Sequence, residues 1–294
     1  MPNTLGGVNL AVIAQKTLKT LMVEMLPVRA FTTLFSDQVA NVGESVTTRV
    51  ATQPSIQDFT SSPSAATVTT TANTVTLSNY KGVRIGFTDM EVSKSSIDLV
   101  NVFVNPIANT ICNSVMDSVF DLVDNATFGS AGTTSTSGNF DADDVADAAQ
   151  VLSSANVPKI GRFMILGPTY FAALAKDAAI QAAYAYGGSE AIRENRIPRV
   201  HGFDIYEYND IPSNSENLTG CYGSSECILI AARTPAVPAN FPGEVESATD
   251  PDTGLTVQVR RWYSADDRQL YYESGIIYGV AAGVTANLKR IVSS

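Results

Sequence analysis

Apolar and polar residues alternate in two stretches of the first hundred residues. They read SVTTRVA from 45 to 51 and TVTLSNYKGVRIGF from 74 to 87, and both are rich in β-branched side chains. This pattern is typical of β-strands that bury one face. The connecting run TSSPSAATVTTTAN (60–73) has the composition of an exposed loop. At about 3.3 Å per residue, arms of ~12–15 residues reach ~40–50 Å, so we expect a long hairpin that projects from the body.

A helical period lies on either side of this hairpin. Residues 8–26 place apolar side chains three and four positions apart and end at Pro27, which predicts an amphipathic helix. Residues 95–123 repeat the pattern over a greater length, with Asp98 in the first turn, where a carboxylate suits the helix dipole. Pro106 removes one backbone donor and is expected to kink this helix without ending it. The helix would span about 42 Å and serve as a structural spine.

The second half of the chain changes to shorter elements, and the whole order predicts an α+β fold. The Gly-, Ser- and Thr-rich segment 125–139 is typical of a flexible linker or loop and marks the best internal boundary. Helices are predicted for 141–155 and for 168–186, the latter with Pro168 at its first position. A turn is predicted at 250–254, and strands are predicted at 161–167, 201–209, 227–232, 255–263, 268–279 and 284–292.

Composition narrows the class of function. With 45% hydrophobic and 16% charged residues among 294, the chain is expected to be globular and to bury some surface against partners. The formal net charge of −10 and the lack of Lys/Arg clusters argue against sequence-specific binding of nucleic acid. Lys16, Lys19 and Glu24 interrupt the first apolar run, and no basic segment precedes it. We therefore expect a cytosolic product with neither a signal peptide nor a membrane span.

Residues that commonly carry catalysis are sparse. Cys112, Cys221 and Cys227 show no paired spacing, so we interpret them as small buried or loop residues. His201 is the one histidine, and a structural role is expected because no G-x-S-x-G serine accompanies it. The acidic run NFDADDVADAA lacks the ligand spacing of a calcium loop and is explained by Asp141 capping a helix. The sequence predicts no catalytic, metal or cofactor site.

Three longer runs carry a resemblance to a known family. The first is VTLSNYKGVRIGFTDMEVSKSSIDLVNVFVNPIANTI (75–111), a strand that leads into a helix containing proline. The others are GRFMILGPTYFAALAKD (161–177) and RIPRVHGFDIYEYNDIP (196–212), a strand, a Pro-started helix and a Gly-containing strand. In this order they resemble the major capsid proteins of tailed bacteriophages, which have the Hong Kong 97-type fold.

The resemblance implies a division of the chain and a structural function. The implied function is a non-enzymatic major capsid protein that self-assembles into hexamers and pentamers of an icosahedral phage head around double-stranded DNA. Assembly would take place in the host bacterial cytoplasm, with scaffold, portal and decoration proteins as further partners and no membrane. The implied parts are an N-terminal arm (1–40), an extended β-hairpin loop (41–88), the spine helix with part of a peripheral domain (89–138), an axial domain (139–240) and C-terminal strands completing the peripheral domain (241–294).

By the same resemblance the hairpin lies across a neighbouring subunit, which makes its charged residues candidate contacts. Lys81 and Arg84 are expected to pair with carboxylates of a neighbour, such as those of Asp266, Asp267 or Glu273. A strip around the single tryptophan is a second candidate. The full set of candidate intersubunit contacts is Lys81, Arg84, Arg260, Arg261, Trp262, Asp266, Asp267 and Glu273.

Three other functions fit parts of the pattern. A bacterial nanocompartment shell would have the same fold, and the cargo content of purified particles would distinguish it. A monomeric β-rich surface or binding protein would elute as a small species on size-exclusion chromatography. An enzyme with an unusual site would need a pocket that gathers Asp, Glu or Tyr groups with perturbed pKa values.

Overall fold

The computed structural model describes residues 10–24, 26–40, 43–51, 70–94, 99–181, 197, 199–249 and 256–294. Helices and strands are numbered in chain order. The helices are α1 (Leu10–Glu24), α2 (Asp89–Lys94), α3 (Leu99–Phe120), α4 (Asn125–Phe128), α5 (Ala142–Ser154) and α6 (Pro168–Lys176). The strands are β1 (Thr32–Ala40), β2 (Ser45–Ala51), β3 (Thr70–Thr76), β4 (Asn79–Thr88), β5 (Thr133–Thr134), β6 (Arg162–Leu166), β7 (Phe203–Glu207), β8 (Leu218–Ser224), β9 (Ile228–Pro235), β10 (Glu244–Thr249), β11 (Thr256–Ser264), β12 (Gln269–Ala282) and β13 (Leu288–Val292).

A six-stranded sheet forms the larger body of the protein. Its order is β1-β9-β12-β11-β10, and β4 also pairs with β12. β1 runs parallel to β9, whereas the other pairs are antiparallel. Ile277 and Tyr278 of β12 pair with β4 and β9 at once, so these two strands lie on opposite edges of β12. The 14-residue strand β12 is therefore the centre of the sheet.

One face of this sheet packs against the two long helices. α3 contacts β4 and β12, and α1 contacts α3, β10 and β11. The stripe predicted for the spine helix is buried at Ile107, Ile111 and Val115. These side chains belong to the same core cluster as Val259 of β11 and Tyr272 of β12. Burial of this apolar face fixes the spine helix on the sheet.

A five-stranded sheet with the order β5-β13-β8-β6-β7 forms the second body. α5 and α6 pack on it through Leu152, Met164 and Phe171, which share the second core cluster. α5 begins as predicted, because the Asp141 carboxylate accepts hydrogen bonds of 3.0 and 3.2 Å from two backbone N–H groups of the first turn. The acidic run is thus a helix cap.

A buried arginine orders the segment that was expected to be a flexible linker or loop. Arg290 of β13 is 4% exposed and pairs with the carboxylate of Glu216. Its guanidinium also donates to Asn125 Oδ1 at 3.2 Å and to the Gly129 carbonyl at 2.8 Å. Residues 125–139 therefore contain α4 and β5, and β5 pairs with β13. The segment is mostly a loop, as one of the two expectations had it, but Arg290 from the far end of the chain anchors it, which composition does not show.

β2 and β3 form a two-stranded ribbon, antiparallel from the Ser45–Thr76 pair to the Ala51–Thr70 pair. At its base Val75 is fully buried and shares a small cluster with Leu77, Leu229 and Ile277, and Val46 packs against that cluster. Thr74, one residue further out, is exposed. Among the ribbon side chains that the structure describes, those at the base anchor it to the six-stranded sheet.

The predicted return strand of the hairpin is two strands. It breaks at Leu77 and Ser78, so that β3 pairs with β2 while β4 enters the six-stranded sheet beside β12. Among the described residues of the segment 41–88, the strands that form the ribbon are β2 and β3. The ribbon is shorter than expected over its described part, since the second arm ends where β12 offers β4 a full ladder of hydrogen bonds.

Most other elements agree with the sequence. The structure confirms nine predicted elements: α1, α3 with Pro106 inside it, α5, β6, β7, β9, β11, β12 and β13. β1, β8 and β10 were not predicted. The sheets also cross the expected divisions, because β13 pairs with β8 of the segment 139–240 and β9 of that segment pairs with β12. Asp98, the turn at 250–254 and residues 182–186 lie outside the described part.

Candidate subunit interface

Three neighbouring strands give the six-stranded sheet a second, partly exposed face. β4, β12 and β11 lie side by side in antiparallel register, so side chains directly opposite one another share a face. Val259, Tyr272 and Ile85 point to the helices and contribute to the core. Their neighbours in sequence therefore point away from the helices. We call five of these, Arg84, Arg260, Trp262, Tyr271 and Glu273, the aromatic–charged face.

A row of three charges crosses this face. Arg84, Glu273 and Arg260 are directly opposite one another on β4, β12 and β11. Arg84 Nη2 lies 2.6 Å from Glu273 Oε2, and Arg260 Nη1 lies 3.8 Å from Glu273 Oε1. The side chains of Glu273 and Arg260 are both 14% exposed, whereas that of Arg84 is 59% exposed. One carboxylate thus holds two guanidinium groups, and Arg84 remains open to solvent.

Aromatic rings cover the adjacent row. Trp262 and Tyr271 are opposite one another and stack with centroids 5.3 Å apart. Phe241 meets the edge of the Trp262 ring at 5.7 Å, and the Arg84 guanidinium lies over that ring at 5.0 Å. Stacking of a guanidinium on indole adds a cation–π attraction to the ion pair. The charged and aromatic rows are therefore one connected unit.

Gly86 makes room for this unit. It stands opposite Tyr271, and a Cβ at Gly86 would lie 2.5 Å from Gln269 Oε1 and 2.8 Å from Tyr271 Cε1. The tyrosine ring lies over the glycine in place of a side chain. Tyr271 also donates a 3.2 Å hydrogen bond to the Asp267 carboxylate. Burial and this hydrogen bond raise the pKa of Tyr271 above its usual range.

The structure brings together four of the eight predicted contact residues: Arg84, Arg260, Trp262 and Glu273. The ion pair between Arg84 and Glu273 forms within one chain, which corrects the expectation that these two residues pair across subunits. The physical reason is the register of β4 and β12, which places them directly opposite each other. Sequence reasoning missed Tyr271, Phe241 and Gly86. Glycines at 82 and 86 inside a strand were the available signal, because such glycines mark close approach by a neighbour.

The other four predicted residues lie elsewhere. Arg261 points to the opposite side of β11 and pairs with Glu244 of β10. Lys81 is opposite Ile276 and lies on the same side of β4 as Val83 and Ile85, away from the aromatic–charged face, and it is exposed. Asp266 and Asp267 occupy the turn between β11 and β12, where Asp267 accepts from the Ser264 hydroxyl at 3.1 Å.

Groups with catalytic potential are placed as structural residues. All three cysteines are free and buried, and burial raises the pKa of the Cys221 thiol to about 12. His201 is an exposed turn residue with φ of 47°. Within the described ranges no group of three or more His, Cys, Asp or Glu side chains could hold a metal ion. No helix in those ranges is long and apolar enough to cross a membrane.

Comparison with known proteins shows to which family this chain belongs. The model of a family described as phage capsid protein matches residues 67–282, which is most of the chain and includes β4, α3 and the aromatic–charged face. The chain belongs to the phage capsid protein family. A search of curated protein sequences finds no match.

Solved structures agree with this family on the fold. A structure from Mycobacterium phage Che8 is 18% identical and has a TM-score of 0.55, covering 85% of this chain and 84% of that one. A capsid structure of the cyanophage P-SCSP1u is 12% identical with a TM-score of 0.59, covering 90% and 86%. The mature capsid of bacteriophage PhiM1 is 10% identical with a TM-score of 0.58, covering 91% and 86%. The resemblance to the Hong Kong 97-type fold is confirmed, and the chain is a phage major capsid protein.

Proposed function

We propose that this capsid protein self-assembles, without catalysis, into hexamers and pentamers of an icosahedral head that encloses double-stranded DNA. The observation that carries the proposal is the β2–β3 ribbon. A two-stranded ribbon is marginally stable by itself in water and needs a further surface to bury a face. Beyond the buried base at Val75, the described residues Ala72 and Thr74 are exposed. A second copy of the chain supplies the missing surface.

The aromatic–charged face is the proposed receiving surface for a neighbouring copy. Tryptophan, tyrosine and arginine are enriched at protein interfaces because they combine large contact area with polar groups. Arg84 holds its position through Glu273 and Trp262, yet its side chain is 59% exposed. It therefore has donors left for a neighbour's carbonyl or carboxylate groups, at little cost in side-chain entropy.

The two sheets with their helices are proposed to have different roles in the shell. The six-stranded sheet with α1 and α3 serves as the peripheral domain, and the five-stranded sheet with α5 and α6 as the axial domain that meets its copies around each ring. The segment 1–40 is not proposed as a free arm toward another subunit, because α1 packs on α3 and β1 pairs with β9 within the chain. Head-to-tail contacts of this kind close into rings, and many modest contacts together stabilise a lattice.

Packaged DNA is proposed to lie near the shell without adhering to it. The net charge of −10 disfavours binding through phosphate contacts, so the genome stays free to move as it fills the head. Scaffold, portal and decoration proteins are the remaining proposed partners, and host bacterial cytoplasm is the proposed place of assembly.

Negative-stain microscopy and sedimentation of the purified protein, alone and co-expressed with a candidate scaffold, test the proposal. We expect ring-shaped oligomers or closed shells without bound cargo enzymes. A monomer under both conditions would contradict self-assembly, and shells filled with a host enzyme would favour a nanocompartment.

Side-chain variants of the two exposed cations of β4 test their proposed contacts with neighbouring copies in the same assay. Lys81→Ala combined with Arg84→Ala should reduce the yield of particles, because the variant removes two exposed cations of β4. Arg199→Ala is the matched control, since Arg199 is half-exposed and pairs with Asp204 beside β7. A normal particle yield from the double variant would contradict a role for these two cations in assembly.

A further inference from the structure

A large apolar side chain stands almost entirely in solvent on the turn between α5 and β6. Ile160 is 88% exposed, more than any other large hydrophobic residue in the part of the chain that the structure describes. Pro158, Lys159 and Gly161 beside it are exposed as well. Scattered exposed hydrophobics need no explanation, but this one lies at the tip of a turn that is held in place from inside.

Arg162 holds that turn. Its side chain is buried, and Nε donates to the Pro158 carbonyl at 2.9 Å while Nη2 donates to the Val157 carbonyl at 2.7 Å. Nη1 donates to the Ala149 carbonyl and the Ser153 hydroxyl of α5, both at 3.2 Å. Burial of a guanidinium is costly unless its donors are satisfied, and here they fix the turn to the end of α5. Ile160 is therefore presented on a preorganised support, which lowers the entropy lost on docking.

A groove of suitable character lies at the other end of α5. It has a volume of about 750 Å³ and runs between the segment 137–141 and α6. The methyl groups of Ala172 and Ala173 and the ring of Phe140 form its apolar part. Asp141, Lys176 and Asp177 provide its charges, so carboxylates outnumber ammonium groups by one. The groove is thus suited to an apolar knob that carries a positive charge beside it.

The knob and the groove cannot meet within one subunit. The turn 157–161 follows the C-terminal end of α5, whereas Asp141 caps its N-terminal end. A 13-residue helix separates them, and at 1.5 Å per residue this is about 20 Å. Two different surfaces at opposite ends of one helix form a heterologous contact, which closes into a ring when the rotation permits.

We propose that Ile160 of one subunit docks in the groove of a second copy, with its methyl groups against Ala172 and Ala173 and Lys159 beside Asp141 and Asp177. The contact is a specific ring interface of the five-stranded body. It rests on the proposed self-assembly and adds to it the residues that determine how neighbours fit. The charge of Lys159 matches the excess of carboxylates, which is why a second copy rather than an anionic partner is the occupant.

Engineered cysteines test the contact. Ile160→Cys combined with Ala173→Cys in one chain gives each subunit one donor and one acceptor position, while the three native thiols are buried. Mild oxidation of assembled protein, followed by non-reducing electrophoresis, should give a ladder of covalent multimers that ends at a closed ring. Because a disulfide requires Cα atoms within about 7 Å, we expect about tenfold more cross-linked product than from either single variant.

A control pair of cysteines and substitutions of Ile160 complete the test. Ile160→Cys with Val237→Cys, a partly exposed position near the six-stranded sheet, should give no ladder. Ile160→Asp should fold normally and lose rings, whereas Ile160→Leu should keep them.

The outcomes separate the inference from the proposed function. Particles from the double-cysteine variant without a ladder would overturn the docking while self-assembly stands. Dimers from Ile160→Cys alone would show that knobs meet each other, and capture of another protein by the groove would show a different occupant; both contradict the proposal. If the unaltered protein did not associate at all, both the proposed self-assembly and the proposed docking of Ile160 would be contradicted.

Discussion

β3 and β4 follow one another in the chain and come from one predicted return strand, yet they have different partners. β4 lies beside β12, and its inward-facing Val83, Ile85 and Phe87 pack against the core. β3 lies beside β2, and of its described side chains only Val75 is buried. Alternation shows that a strand has an apolar face, but it does not show what covers that face. In β4 the cover is the spine helix, and in β3 we propose that it is a neighbouring subunit.

The contrast separates two kinds of mutation. A change in β4 or β12 should alter the stability of the subunit itself, because their side chains are packed within one chain. A change on the outer part of the ribbon should leave the subunit stable and alter assembly alone. The following predictions run from the largest expected effect on subunit stability to the smallest.

Gly279→Val at the junction of ribbon and sheet should have the largest effect. A Cβ at this position would lie 2.1 Å from the Thr76 carbonyl oxygen, which belongs to the backbone of β3. The ribbon base must shift or β12 must bend, so we expect a loss of about 3 kcal/mol in the free energy of unfolding. Urea denaturation of the purified protein measures it. Gly138→Ala is the control, since a Cβ there meets nothing within 4 Å; equal losses from both variants would contradict the steric argument.

Glu273→Gln tests the charge row. The change leaves Arg260, whose side chain is 14% exposed, without its anionic partner, while Arg84 can turn to solvent. Because one of the two cations is largely buried, we expect a loss of about 1–2 kcal/mol, less than for a fully buried pair. Glu244→Gln removes a carboxylate that is 62% exposed and pairs with Arg261. Its loss in the same denaturation experiment should be under about 0.5 kcal/mol, and the reverse order would show that the row is not the stronger unit.

Gly86→Ala tests the contact of β4 with the aromatic rings. The new methyl group would displace the Tyr271 ring, which can move because it is a side chain, so the expected loss is about 1 kcal/mol. Trp262 is the only tryptophan, and Tyr271 stacks on it. Its fluorescence spectrum should therefore change in this variant, and an unchanged spectrum together with an unchanged denaturation midpoint would count against the stacking.

The sequence was sufficient to predict elements in which apolar residues recur with a regular period and so form one buried face. α3 and α5 have that period, with Ile111 and Val115 buried in the first and Val145 and Leu152 in the second. β8 does not, because Gly220 and Gly223 interrupt it. A Cβ at Gly220 would lie 2.5 Å from the Ile165 carbonyl oxygen, and one at Gly223 would lie 2.3 Å from the Asn287 carbonyl oxygen. These glycines allow neighbouring strands to approach, a tertiary requirement that is invisible in a hydrophobic pattern.

Competition between local and distant hydrogen bonds explains the error in α6. The run from Pro168 to 186 favours a continuous helix, but Asp177 has ψ of 133° and interrupts it. Its carboxylate accepts a 3.0 Å hydrogen bond from the Ala142 N–H at the start of α5, and this bond lowers the pKa of Asp177. For the aromatic–charged face, the sequence predicted some of the residues but not how they are paired. Its charges were visible in the sequence, whereas the register that places Arg84 opposite Glu273 was not.

Thr74→Lys on the outer part of the ribbon should have the smallest effect on the subunit and a clear effect on assembly. Thr74 is exposed and opposite Thr47, with the two hydroxyl oxygens 3.2 Å apart. An exposed strand position tolerates lysine, so the free energy of unfolding should change by less than about 0.5 kcal/mol. Particle yield should fall, because a charge would be buried where the ribbon meets a neighbour. Ser247→Lys, equally exposed on β10, is the control; if both lysines leave particles intact, the outer ribbon is not a buried contact and the difference between β3 and β4 needs another cause.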